Sequence, residues 1–244
     1  MCTVTYIPQK DKIFITHNRD EKSARSKAIH PKEYIVKGHR LLFPRDSHAG
    51  GTWIAINDNG TAAVLLNGGF EKHEHKPPYR KSRGLCFLDI ICSDDLYFSF
   101  NRVDLDNIEP FTIILWNHGD LYECRWDGSH KHTLPLDPSQ SYSWSSATLY
   151  EKEVRARRSE WFNNWRSENP DPTLEAIMNF HLFGGEGDAH NDLCMNRNGV
   201  MLTVSITGME ITAAGSAVMK YNDLQDNSST AQQWLFTKVP LSRQ

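Results

Sequence analysis

An α+β layered fold, two packed β-sheets flanked by helices, is predicted by three features of this sequence. Strand-like segments occupy both ends of the chain, helical periodicity is confined to the middle, and short turns join the strands into antiparallel hairpins. A length of 244 residues with 39% hydrophobic and 23% charged residues suits one globular domain over 1–244.

The first strands read Cys2 to Ile7, Lys12 to Asn18, Thr52 to Asn57 and Thr61 to Asn67. The last two form a hairpin, because Asn57-Asp58-Asn59-Gly60 is rich in residues that tolerate left-handed backbone. Between the hairpins, Ala24 to Phe43 carries Pro31, Gly38 and many charges, which predicts a surface excursion. Glu71 to Ser82 reads as a second polar loop, and a short helix then runs through Leu85, Leu88 and Cys92. The stretch from there to Asn107 is turn-rich. Phe111 to Trp116 and Asp120 to Trp126 form a hairpin around Asn117-His118-Gly119, and Ser141 to Ser146 reads as a further strand.

Tyr150 to Glu168 gives the clearest helix: Val154, Arg158, Trp161 and Trp165 recur at helical spacing, and Asn169-Pro170 stops it. Asp171 before Pro172 reads as the N-cap of a second helix ending at His181. Strands return at Val200 to Ile206, Met209 to Ala214 and Trp234 to Val239.

Composition narrows the function classes. A net charge of −3 argues against a general nucleic-acid binder, and no partner class follows from charge. Five cysteines without a Cys-x-x-Cys pair fit neither a disulfide framework nor a zinc ribbon, and imply a reducing compartment. No signal-peptide layout is present, and apolar runs such as Ile113 to Trp116 are too short to span a bilayer, so a soluble, cytoplasmic protein is expected. The pairs His73/His75 and His130/His132 and the run Asp188-x-His190-x-Asp192 lack the remaining ligands of a metal site.

Cys2 carries the chemistry. If Met1 is removed, one residue holds both a thiol and an α-amine, whose ordinary pKa of about 7.7 to 8.0 lets it act as a base near neutrality. Nucleophile and base are then a single residue. The run Asn18-Arg19-Asp20-Glu21 lies on the next strand, where Arg19 and Asp20 point to opposite faces unless the strand ends there. In the catalytic reading Asp20 orients the amine, and Arg19 lowers the thiol pKa or holds a substrate carbonyl. A buried first residue of a strand is otherwise unusual for a terminus.

Met1-Cys2-Thr3, Asn18-Arg19-Asp20-Glu21, Gly50-Gly51-Thr52-Trp53-Ile54 and Leu65-Leu66-Asn67 together resemble the NRDE family, also called the transport and Golgi organisation protein 2 family. The resemblance is looser around Trp144-Ser145-Ser146-Ala147 and Thr203-Val204-Ser205. It implies the N-terminal nucleophile hydrolase fold, a four-layer αββα sandwich, with an N-terminal pattern like that of choloylglycine and penicillin V acylases. Carried over, the acylase pattern makes Cys2, Arg19, Asp20 and Asn67 the catalytic set, with Asn67 as oxyanion-hole donor; Asn18 and Ser146 are the candidate substrate-binding side chains. Ser145-Ser146-Ala147 stands where those acylases keep a second asparagine, and no arginine near Thr203 to Ile206 matches their later one. The implied activity is hydrolysis of a small linear amide without a required cofactor. The family's links to secretory-pathway organisation, lipid metabolism and haem handling imply an alternative, a non-catalytic carrier of haem or another hydrophobic metabolite.

Overall fold

A computed structural model describes residues 2–237. The chain begins with the hairpin β1 (Cys2–Gln9) and β2 (Lys12–Lys22), followed by β3 (Ala28–Val36), β4 (His39–Asp46), β5 (Ile54–Asn57) and β6 (Ala62–Asn67). Helices α1 (Arg83–Ile91) and α2 (Leu96–Arg102) precede β7 (Phe111–Asn117), β8 (Asp120–Trp126), β9 (Lys131–Leu136) and β10 (Tyr142–Ser145). Helices α3 (Lys152–Glu168) and α4 (Leu174–Phe183) follow, and the chain returns through β11 (Asn196–Arg197), β12 (Met201–Thr212), β13 (Ser216–Asp223) and β14 (Ser228–Leu235).

The strands form two seven-stranded sheets. One runs β10-β1-β2-β12-β13-β14 with β11 against β12, and the other runs β3 through β9 in sequence order. All their pairings are antiparallel. The first sheet carries α3 and α4 on its outer face and the second carries α1 and α2, which completes the αββα order of layers.

Strand alternation explains the layering. On β1, Cys2, Val4 and Tyr6 point between the sheets, where they meet Ile54, Val64 and Ile114 in the larger core cluster. Ile7 of β1, Phe14 of β2 and Ile206 of β12 instead join Phe162, Ile177, Met178 and Phe180 of α3 and α4. Each strand of the central hairpin is therefore buried on both faces, which is how the first residues of the chain come to lie inside the domain.

Several elements differ from their sequence signals. The expected excursion Ala24 to Phe43 contains β3 and most of β4. β3 is an edge strand with a register irregularity between Ile29 and Lys32, around Pro31, and most of its side chains are at least partly exposed. Proline and lysine are what a sheet edge tolerates, so the composition of an edge strand resembles that of a loop. Thr173, not Asp171, caps α4, its hydroxyl accepting from Ala176 N at 3.2 Å. The two strands read at 200–206 and 209–214 are one continuous β12, because Gly208 continues the strand opposite Thr16. α2 lies in the stretch expected to be turn-rich, β9, β11 and β13 had no expectation, and of the last expected strand, residues 238–239 lie outside the described residues.

The start of α1 is set by a close backbone approach. A Cβ on Gly51 would stand 2.6 Å from the Gly84 carbonyl carbon, and one on Gly84 would stand 2.9 Å from the Thr52 carbonyl oxygen. Only glycine at both positions lets the first helical turn lie against the 51–52 backbone. Gly84→Ala is expected to push this turn outward and cost about 1 to 3 kcal/mol, read as a lower urea midpoint at unchanged slope.

Candidate active site

Between the sheets' ends and the start of α1 lies a cleft of about 410 Å³, with Cys2, Arg19 and Asn67 in its lining. Cys2 is only 4% exposed, yet it faces this space. Its backbone is held from both sides: Cys2 pairs with Arg19 on β2, and Ser146 N donates to Cys2 O at 2.9 Å. The thiol is thus mounted on a rigid central strand. Burial pushes the Cys2 thiol above its ordinary pKa, the Asp20 carboxylate adds to the rise, and the Arg19 guanidinium opposes it. The resting side chain is therefore a thiol, and a base must take its proton before it can attack.

Arg19 is also buried and committed. Its Nη2 donates to Asp46 Oδ2 at 2.8 Å, and its guanidinium lies 4.2 Å over the Trp53 ring. Asp46 accepts from Arg25 through the same oxygen, while its Oδ1 takes the backbone N–H groups of His48 and Ala49. Burial alone would raise Asp46, but the Ala49 N–H and the Arg25 and Arg19 guanidiniums outweigh it and hold the carboxyl below its usual range. On the opposite wall, Arg83 of α1 pairs with Glu109 at 3.0 Å, and Lys81 pairs with Asp89. Glu21 also lines the cleft and has no ion-pair partner among the described residues. Charge on the walls is thus nearly balanced and mostly held in fixed pairs.

Asn67 ends β6 and presents its side chain to the cleft, while its backbone carbonyl accepts from Ser146 Oγ at 2.7 Å and Thr148 Oγ1 at 3.5 Å. Gly68 follows with φ +90°, and a Cβ there would meet Thr148 at 3.0 Å. Ser146 was expected to contact substrate. Its hydroxyl is instead spent on Asn67, so it positions the asparagine from behind, and it does not line the cleft.

Asn18 is a second correction. It lies on the other face of β2, where its Nδ2 donates to the carbonyls of His181 (2.9 Å) and Leu193 (2.7 Å) and its Oδ1 meets His181 Nδ1 at 2.7 Å. Strand alternation turns Asn18 away from the face that carries Arg19; its two contacts with His181 tie β2 to α4, and the third ties it to the segment between α4 and β11. The tautomer of His181 follows. Asn18 Oδ1 can only accept, so Nδ1 carries the proton and Nε2 accepts from Thr5 Oγ1 at 2.8 Å. Burial, reinforced by Arg158, pushes His181 down to about 3. His17, also fully buried, is depressed in the same direction by burial.

A stability prediction follows from the sign of this shift. Between pH about 3 and 6.5 the unfolded chain holds a proton on this imidazole that the folded chain does not, so stability falls on acidification through that window by up to about 1.4 kcal/mol per pH unit. Urea midpoints across this range should fall less steeply in His181→Asn than in the unsubstituted protein.

Asp20 shares the helix-facing side of β2 with Asn18, so the predicted opposition of Arg19 and Asp20 holds; β2 does not stop there but runs to Lys22. A bulge in β12 between Thr203 and Ser205 lies directly opposite Asp20 and Arg19, and Thr203 Oγ1 donates to Asp20 Oδ1 at 2.7 Å. Tyr150 Oη donates to Asp20 Oδ2 at 2.7 Å. Over the Tyr150 ring, 3.5 Å away, lies the guanidinium of Arg158, only 1% exposed. Arg158 donates to Thr3 Oγ1 (2.5 Å), Asn191 O (2.9 Å) and Asp192 O (2.5 Å). Burial raises the Asp20 pKa, while Arg158 and the hydrogen bonds from Thr203 and Tyr150 oppose the rise. Arg158 of α3 is thus the positive charge that opposes the burial of Asp20. Asp20 stands one residue beyond the strand partner of Cys2, beneath the start of β1 rather than in the cleft.

The sequence profile of the family described as Transport and Golgi organisation 2 matches residues 1–200. The chain belongs to this family. No curated protein sequence matches the chain significantly. Among solved structures, a conjugated bile acid hydrolase from Clostridium perfringens is similar over 98% of this chain and 98% of its own, at 11% identity and a TM-score of 0.59. Penicillin V acylase from Agrobacterium tumefaciens is similar over 100% of this chain and 88% of its own, at 10% identity and a TM-score of 0.52. An N-acylethanolamine-hydrolyzing acid amidase ortholog from Caenorhabditis elegans matches over 86% and 92% respectively, at 11% identity and a TM-score of 0.56. This member of the Transport and Golgi organisation 2 family therefore has the N-terminal nucleophile hydrolase fold, as its sequence resemblance implied.

The histidine-rich segments do other work. His73 and His75 face Glu109, at 3.1 and 3.3 Å, and His132 faces Asp127 at 2.6 Å. Among the described residues no group of three or more His, Cys, Asp or Glu side chains gathers as a metal site, and no helix is long and apolar enough to cross a membrane. The residues missed from sequence are Asp46, Arg83, Glu109, Tyr150 and Arg158. Only Arg158 carried a signal, as the one charged position on the buried stripe of α3.

Proposed function

We propose that this protein is an amidohydrolase whose nucleophile is Cys2, acting on a small polar linear amide once Met1 is removed. The observation that carries the reading is the placement of Cys2 on a rigid strand at the cleft, facing the same space as Asn67 and beside Arg19. The fold shared with acylases and an amidase is consistent with it.

In this reading the free α-amine of Cys2 takes the thiol proton, and the thiolate attacks the amide carbonyl carbon. Negative charge moves onto the carbonyl oxygen, where the Asn67 carboxamide donates a hydrogen bond. The resulting ammonium returns its proton to the leaving nitrogen as the C–N bond breaks, giving a thioester and a free amine. Water, deprotonated by the same α-amine, then hydrolyses the thioester to a carboxylic acid and restores the thiol. Asp20, held by Tyr150 and Thr203 beneath the start of β1, provides the negative charge that orients the ammonium. The charged walls favour a polar substrate over an apolar one.

The carrier reading, with haem or another hydrophobic metabolite as cargo, uses the same cleft. It is disfavoured by the lining: among the described residues no histidine faces the cleft, and the Cys2 thiol is held protonated. The test is amine release from a panel of short N-acyl amides by the natively processed protein and by Cys2→Ala. Turnover by the former alone is expected. No turnover by either, together with a saturable Soret change on haem titration, would replace the hydrolase reading with the carrier.

A further inference from the structure

Behind Asn67 lies a second, smaller cavity of about 170 Å³, lined on one side by β10 and on the other by Arg125 and Arg155. Among the described residues, two guanidinium groups face it and no carboxylate does. The charge of Arg125 is matched: its Nε donates to Glu123 Oε1 at 2.7 Å, and its Nη1 donates to Gly69 O at 2.5 Å. The remaining oxygen of Glu123 is taken by Trp144 Nε1 at 2.6 Å. Arg155 has no ion-pair partner among the described residues. Its Nη1 makes a 3.3 Å bond to Phe70 O, and its Nε is shielded from solvent with no acceptor. A buried guanidinium N–H without an acceptor is a group that a ligand would satisfy.

The other walls supply hydroxyl donors. Ser145 lines the cavity, and the Ser143 and Ser159 hydroxyls are 3.4 Å apart, a long contact that leaves a proton to donate. The Ser146 and Thr112 hydroxyl protons are already spent, on Asn67 O and Gly68 O. A compact space with excess positive charge, a forked donor and serine hydroxyls has the chemistry of an oxyanion site.

We propose that this second cavity binds a small oxyanion, a carboxylate or phosphate group, between Arg155, Arg125 and the serines of β10. Asn67 lines both cavities, so an anion here sits directly behind the side chain assigned to the reacting oxygen. The site does not depend on the hydrolase reading. The oxyanion has two sources: a free anion, or the charged end of a ligand whose amide lies in the cleft.

Calorimetric titration with inorganic phosphate at constant ionic strength tests the proposal. The unsubstituted protein should bind phosphate saturably, Cys2→Ala should match it, and Arg155→Gln should bind about tenfold more weakly. If Arg155→Gln does not fold, the double variant Ser145→Ala with Ser159→Ala should show a smaller but measurable loss. No saturable binding, or equal affinity after these substitutions, would overturn the site. Glutaramate, a linear amide bearing a carboxylate, separates the sources. Displacement of phosphate that is lost once Cys2 is alkylated assigns the charged end of a cleft ligand; displacement unaffected by alkylation assigns a free anion.

Discussion

Arg158→Leu is expected to lower the unfolding free energy by roughly 3 to 5 kcal/mol, a large share of the 5 to 15 that holds a typical domain together. The substitution leaves Asn191 O, Asp192 O and Thr3 Oγ1 without their donor and removes the cation stacked on Tyr150. It also removes the positive charge that counters the burial of Asp20. With that charge gone, Asp20 should take up a proton at higher pH. Arg158→Lys keeps the charge but cannot reach three acceptors with a fixed fork, so its loss should be intermediate. Urea unfolding at neutral pH reads both variants. A cost below about 1 kcal/mol for Arg158→Leu would mean that this network contributes little to the fold.

The second large effect lies in the cleft. For any amide the protein hydrolyses, Asn67→Ala should reduce kcat by about a hundred- to a thousandfold, because one oxyanion-hole donor contributes about 2.7 to 4 kcal/mol in the transition state. KM should change little, since the donor acts on charge that develops only during reaction. Stability should hold as well: the hydrogen bonds that fix this segment use the Asn67 backbone carbonyl, which alanine retains. A loss below about tenfold would shift the oxyanion to other donors.

These two predictions divide the molecule as the sequence does. Cys2, Arg19 and Asn67 were legible because local pattern and family resemblance both mark them, and the fold brings them to one cleft. The opposition of Arg19 and Asp20 followed from strand alternation alone, and the structure keeps it. Asn18 failed for the same reason: adjacency in a motif does not survive the two-residue period of a strand, which turned it towards α4. Ser146 failed more subtly, since its hydroxyl supports Asn67 instead of substrate. Asp46, Arg83 and Glu109 come from β4, α1 and the segment before β7, and only tertiary packing brings them to the cleft walls.

The fold shows the same split. Hairpins and the long amphipathic α3 were readable from periodicity, whereas β3 was hidden by the proline and charges that suit an unpaired edge. Arg158 is the instructive case. Helical spacing placed a charged residue on an otherwise apolar stripe, and that conflict marks the group that counters Asp20.

The central claim is that Cys2, burdened by burial, becomes reactive through its own α-amine. Intact-mass measurement of the natively expressed protein, followed by alkylation of Cys2 across pH 5 to about 10, tests it most directly. The account predicts a mass lacking Met1 and a labelling rate that rises near the pKa of the α-amine, with the rise lost when Met1 is retained. Retention of Met1 in the native protein, or labelling no faster in the trimmed form than in the retained one, would contradict it.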